Sequence, residues 1–320
     1  MKERVHWIDI AKGLGIIAVV IGHIYHNQMM FNWLYSFHMP LFFFVAGYLY
    51  KQKDILTDLK RRIQTIVIPY FAFGSIVLLY WALLERRFRD SSMGVFESVL
   101  GLISGEYRYL DFNVHLWFLP CFFVTVCLYN LLRNIGGKKV AYITAIIMSI
   151  AYLVIDIPDL PWGIDRVFEY IGFYAIGNLY AESKITEKLI EMPNLKILTG
   201  GGGTLAFASF ALSYFIPNTG ILWFAFGLVG LFAICFISIG IEKSRVLEYL
   251  GQISLIVLCV HGPVYRVLIK CFSVLVNQSS ELVRSNLFLA LMITVCTLVV
   301  CAFCFEIVKR IAPWMVGKQK

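Results

Sequence analysis

Residues 8–26 read IDIAKGLGIIAVVIGHIYH, a nineteen-residue apolar run carrying Asp9, Lys12 and His23. A helix crossing a bilayer needs roughly 20 mostly apolar residues, and an ionisable group inside one costs about 2.5 kcal/mol or more at mid-membrane. The three polar residues are therefore functional candidates. Lys12 and His23 are eleven positions apart, which returns them to within about 20° of each other around the helix and separates them by roughly 16 Å along it. Asp9 falls on the same stripe, one turn from Lys12, at the spacing of a local ion pair. The stripe is an ionic seam that faces protein.

The same length rule places helices near 8–26, 31–50, 63–84, 114–133, 140–156, 163–181, 196–216, 220–241, 249–270 and 286–308. The expected fold is all-α: a polytopic integral membrane protein of about ten transmembrane helices, forming one domain over 1–320. Composition agrees, because 59% of the 320 residues are apolar and 15% charged, and the mean hydropathy is +0.76. A soluble chain has about a quarter of its residues charged.

Orientation follows from the connections. KQKDILTDLKRR, RNIGGKK, the stretch with Lys184, Lys188 and Lys196, IEKSR, and KRIAPWMVGKQK each carry two or more Lys or Arg. HNQMM, DIPDLP, IPNTG and Ser279 to Ser285 carry at most one. Cytoplasmic loops collect the positive charge, so both termini are expected in the cytoplasm, in a cell membrane crossed many times. Segment 85–113 lies outside, mixes charges, and contains VFESVLGLISG, read as a re-entrant or interfacial piece. The net charge of +8 sits in these loops and not on a soluble basic patch, so nucleic-acid binding is not expected. The first run holds charges in its opening turns and lacks a small-residue cleavage site, so it is not read as a removable signal. Eight cysteines lie in or beside apolar runs without paired CxxC spacing, so packing and no metal is expected.

Depth collects the histidines. His38 falls roughly 10 Å below the outer boundary, His261 roughly 18 Å from the inner face when counted from Tyr249, and His115 at the outer start of its helix. Pro40 and Gly262-Pro263 are expected to interrupt the helices beside His38 and His261. Broken backbone at that depth implies protein or a wet cavity. Glu169, deeper than Asp165 and Arg166, is a group to orient a histidine or part of a local ion-paired cap. Arg61 and Arg62 suit phosphate binding beside Lys12, or serve topology alone.

With these features in place, RVHWIDIAKGLGIIAVVIGH and SFHMPLFFFVAGYLYK resemble the membrane-bound acyltransferase-3 family, especially its branch that O-acetylates bacterial surface sugars. The family's basic residue, ten intervening positions and histidine match Lys12 and His23. Looser matches are KRRIQTIVIPY, HLWFLP, EYIGFYAIGNLY and LEYLGQISLIVLCVHGPV. Ala46 stands where the family usually has Ser before Gly47. The resemblance implies acetyl-CoA as cytoplasmic donor and a hydroxyl of a cell-surface glycan or lipid-linked sugar as acceptor. It also implies His23 as general base, or as a nucleophile that carries the acetyl group. His38 or His261 would orient the acceptor or steady the oxyanion, and Lys12 with Arg62 would hold CoA phosphates. A transporter or flippase of a lipid-linked sugar, without CoA chemistry, is the alternative reading; a scaffold held by polar helix contacts is the third.

Overall fold

A computed structural model describes residues 5–89, 93–215 and 220–316. Residues 90–92 of segment 85–113, 216–219 of IPNTG, and the basic end GKQK lie outside those residues. The described chain is helical, with no strand among the described residues. In order the helices are α1 His6–Ile24, α2 Gln28–Tyr48, α3 Ile55–Arg62, α4 Ile68–Leu83, α5 Val95–Ser104, α6 Phe118–Val154 and α7 Ile164–Glu182. They continue as α8 Ile185–Ile190, α9 Lys196–Leu212, α10 Gly220–Ile241, α11 Arg245–Gln252, α12 Ser254–Leu275, α13 Ser280–Ser285 and α14 Leu287–Ile311.

Among the described residues, seven helical stretches are long and apolar enough to cross a membrane: His6–Ile24, Gln28–Tyr48, Ile55–Arg87, Val114–Val154, Gly220–Ile241, Ser254–Leu275 and Leu287–Ile311. The protein is a multi-pass membrane protein. All ten stretches read from the sequence are helical over most of their length. Val114–Val154 contains two of them, divided where Gly137 takes φ 68°, a left-handed conformation that favours glycine. Helix α7 misses the apolar criterion through Asp165, Arg166, Glu169 and Glu182, and α9 is 17 residues long.

One boundary differs from expectation. The stretch 249–270 is not one helix: α11 is a short element capped by the Ser244 side chain, and α12 starts anew at Ser254. Arg245, Glu248 and Gln252 make α11 too polar to continue a spanning helix. His261 therefore lies seven residues into α12, roughly 10 Å along it.

The chain forms two compact units, each assembled from non-consecutive stretches. The first comprises 1–50, 173–254 and 265–300. Its helices approach through glycines, as expected where lipid supplies no hydrophobic drive and close backbone packing must hold helices together. A Cβ on Gly13 would overlap the Leu247 carbonyl, and one on Gly251 the Asp9 carbonyl, so α1 and α11 lock reciprocally. Gly47 meets the Tyr174 carbonyl and Gly177 the Phe44 carbonyl, which locks α2 to the end of α7 in the same way. The second unit comprises 51–172, 255–264 and 301–320. Here Tyr70 donates to the Leu102 carbonyl at 2.7 Å and Trp162 Nε1 to the Ile103 carbonyl at 3.1 Å. Both bonds tie down α5, the central helix of segment 85–113. Arg89–Asp111 at 2.7 Å and Arg108–Asp159 at 2.8 Å fasten its flanks. Phe96, Leu100 and Ile103 of α5 remain exposed, an apolar face in keeping with an interfacial piece.

Gly47→Val or Gly177→Val forces a branched side chain into backbone. Overpacking costs about 1–3 kcal/mol where neighbours can yield, and a carbonyl yields less than a side chain. Size-exclusion profiles in detergent are expected to show loss of the monodisperse species for both variants; a normal profile would contradict the reciprocal packing.

Candidate active site

In the first unit α1 is largely buried; on its polar stripe Asp9 is buried, while Lys12 and His23 are half-buried. Near one end, Lys12 Nζ lies 3.0 Å from Asp9 Oδ1, the expected one-turn ion pair. Near the other, His23 occupies the last turn. The final carbonyls of a helix lack intrahelical donors, and cations are favoured beside them. Arg284 of α13 fills that role: Nη2 donates to the His23 carbonyl at 2.7 Å and Nε to the Ile24 carbonyl at 3.1 Å. The backbone N–H of His26 returns a bond to the Arg284 carbonyl at 3.0 Å.

The imidazole of His23 is held from α2. Tyr35 Oη lies 2.7 Å from His23 Nδ1. Tyr35 is stacked on Phe31 with ring centroids 3.9 Å apart and meets His38 edge-on at 4.7 Å. His38 is buried, and its Nδ1 donates to the Leu34 carbonyl one turn back. A cavity of about 450 Å³ opens beside this cluster, lined by His23, His26, Phe31, Tyr35, Tyr265 and Arg284 among others. The wet cavity was expected beside His38 and His261; this one is lined by His23 and His26 instead. Burial, then the Arg284 charge, push the His26 imidazole below its ordinary value, and Glu281 opposes them.

The prolines do not break their helices. Both α2 and α12 run through, with Pro40 and Pro263 inside them. Proline removes one N–H, so the carbonyl four residues earlier loses its helical donor. At Pro40 that carbonyl belongs to Ser36, and Gly227 of α10 packs directly against it.

In the second unit the same effect organises two histidines. Pro263 releases the Cys259 carbonyl, which accepts from Asn113 Nδ2 at 2.7 Å. A carbonyl only accepts, so the amide nitrogen must face it, and Asn113 Oδ1 is left to accept from His115 Nδ1 at 2.9 Å. A Cβ on Gly262 would lie 2.7 Å from Asn113 Oδ1 and 2.9 Å from His115 Nδ1. Glycine there leaves room for the amide–imidazole pair. His261 Nδ1 donates to the Val257 carbonyl at 2.8 Å, and its ring lies 4.2 Å from that of His115. Both rings therefore carry hydrogen on Nδ1 when neutral, which leaves Nε2 as the basic edge.

A sequence profile described as an acyltransferase domain, that of the acyltransferase-3 family, matches residues 5–306, nearly the whole chain. The chain belongs to the acyltransferase-3 family. It is similar to the nodulation protein NolL of Sinorhizobium fredii, 28% identical over 193 residues, covering 55% of this chain and 48% of that protein. NolL of Mesorhizobium japonicum is 25% identical over 195 residues, covering 54% of this chain and 47% of that protein. The chain thus spans about half the length of the curated relatives it matches. No solved structure matches it.

Other residues singled out in this acyltransferase-3 sequence have more local surroundings. Arg62 and Arg61 reach Asp58 at 3.4 and 3.8 Å, so their charge is partly engaged on their own helix. Glu169 is partly buried and takes hydrogen bonds from Tyr152 and Tyr170 beside Arg166. These partners accord with the local alternative for Glu169, a polar cluster with Arg166, whose guanidinium also covers Trp117 at 4.6 Å. Asp165, in the first turn of α7, receives the Leu160 N–H at 3.0 Å, which ties the preceding turn to the helix. Sequence reasoning missed Tyr35, Arg284 and Asn113; the Asn-Val-His spacing, with Asn113 two before His115, is the one sequence signal that points to any of them.

Asn113→Leu removes a buried amide that satisfies the Cys259 carbonyl and the His115 ring. Leaving such groups unpaired costs about 1–3 kcal/mol each. Thermal unfolding in detergent is expected at lower temperature for Asn113→Leu and for Gly262→Ala, which intrudes on the same pair. Unchanged transitions would show that the amide does not hold the ring.

Proposed function

We propose that this acyltransferase-3 protein moves an acetyl group from cytoplasmic acetyl-CoA to a hydroxyl of a cell-surface glycan or its lipid-linked precursor, with His23 as general base. In this reading the protein crosses the cell membrane about ten times as one domain, with both termini in the cytoplasm. The carrying observation is the placement of His23: its ring borders a cavity of about 450 Å³ while Nδ1 is engaged by Tyr35 at 2.7 Å. If Nδ1 carries the hydrogen and donates it to Tyr35 Oη, Nε2 is the basic nitrogen.

The acceptor hydroxyl oxygen attacks the thioester carbonyl carbon as its proton passes to His23 Nε2. The tetrahedral intermediate collapses with cleavage of the C–S bond. The departing thiolate takes the proton from the imidazolium, which yields CoA thiol, the acetyl ester and neutral His23. Imidazole suits both transfers because its pKa lies near working pH. His38, edge-on to Tyr35, acts as a positioning residue. His261 is assigned to orienting the acceptor or steadying the oxyanion. Lys12, steadied by Asp9, is assigned to CoA phosphate binding, and Arg61 and Arg62 are assigned the same task. The rise of roughly 16 Å from Lys12 to His23 along α1 is of the order of an extended pantetheine arm. The cavity and histidine geometry together with family membership support this reading over a flippase, which has no use for a donor site.

The test is product formation by His23→Ala protein in membranes supplied with acetyl-CoA and acceptor. Loss of a general base typically costs about 10²–10⁴-fold, and a fall of that size is expected with normal protein abundance. Wild-type turnover by His23→Ala would remove His23 from the mechanism.

A further inference from the structure

The cavity beside His23 contains a positive charge that no carboxylate answers. Arg284 uses Nη2 and Nε on two neutral carbonyls, and neither bond cancels its charge. A guanidinium has five N–H donors, so three remain. Among the described residues no Asp or Glu ion-pairs with Arg284, and the cavity lining includes no acid. Burial first, and then the Arg284 charge, hold the neighbouring His26 imidazole below its ordinary value, against the opposing pull of Glu281.

Beside the histidines and the amides of Asn27 and Gln28, the rest of the wall is largely aromatic. Phe31 and Tyr35 present a stacked pair, with rings 3.9 Å apart and 27° from parallel, and Tyr25 and Tyr265 also line the space. Aromatic faces offer broad apolar contact with a polar tip at each tyrosine. That combination suits a sugar ring, which has C–H faces and hydroxyl edges. The volume falls within the ~300–1,000 Å³ of small-molecule sites.

We infer that this cavity binds the acceptor through a sugar bearing a carboxylate or phosphate, and that Arg284 selects for the negative charge. The inference rests on the acyl-transfer reading for the word acceptor alone; binding itself needs no chemistry. A guanidinium pre-oriented by two backbone bonds loses little freedom on meeting an anion, and charge-assisted bonds to carboxylate or phosphate are among the strongest available. A neutral sugar would leave the half-buried charge unanswered.

The experiment is a binding titration by ligand-observed NMR on purified full-length protein in detergent, without acyl donor. The probes are methyl β-glucuronide, methyl β-glucoside 6-phosphate and methyl β-glucoside. They share a ring and differ in charge, and the first two distinguish carboxylate from phosphate. At least one charged probe is expected to bind about tenfold or more tightly than the neutral one, and added salt should compress that difference. Arg284→Gln should erase the preference and Arg284→Lys should retain part of it. Equal binding of all three probes to the wild type, or no binding of either charged probe, overturns the inference whether or not the variants fold. So does a preference that survives in folded Arg284→Gln. Charge-selective binding together with active His23→Ala protein would sink the catalytic reading and leave this one. The converse pair of results would do the reverse.

Discussion

An imidazole inside an apolar bundle must have its ring N–H satisfied, and the way it is satisfied decides which nitrogen is left for chemistry. Four histidines here are gripped by the same atom. Nδ1 of His38 and of His261 each bonds a carbonyl one turn back on its own helix. Side chains on a helix lean toward its N-terminus, so that carbonyl is the nearest acceptor. His115 Nδ1 is held by Asn113, and His23 Nδ1 by Tyr35. In the first three the acceptor cannot donate, so the neutral tautomer follows from geometry. For His23 the phenol can do either, and the proposed mechanism turns on which it does.

Around these rings, residues that weaken isolated helices become useful. Pro263 costs α12 a hydrogen bond, yet the carbonyl it releases is the acceptor that orients Asn113 and, through it, His115. Gly262 lacks the side chain that would displace both groups. In the first unit, Gly13, Gly251, Gly47 and Gly177 let backbones touch, which holds α1 and α2 firmly enough to set Tyr35 against His23. The precision of the site thus depends on packing far from the reacting atoms.

Much of the fold was legible because the solvent imposes it. Apolar length marks helices, and the reading 220–241 coincides with α10. The division between α11 and α12 was hidden, since Leu247, Leu250 and Ile253 keep an apolar rhythm across it and only the polar face of α11 marks the break. The Asp9–Lys12 pair was legible because its partners are one turn apart. Tyr35 was not, although it lies only twelve residues from His23, because the pairing depends on how α2 turns against α1. Arg284 lies 261 positions from the His23 carbonyl it caps, and Asn113 is 146 from the Cys259 carbonyl it reaches. Local periodicity carries no information about such partners. Proline was read as a break because the lost bond is visible in sequence and its replacement is not.

The central claim is that Nδ1 anchoring leaves Nε2 of His23 as the base. Nitrogen chemical shifts of ¹⁵N-histidine-labelled protein in bilayers, with His23 assigned by comparison with His23→Gln, report the tautomer directly. The account predicts hydrogen on Nδ1 and a bare Nε2 for neutral His23, with that population reduced in Tyr35→Phe. A neutral His23 carrying its hydrogen on Nε2 in the wild type would contradict it.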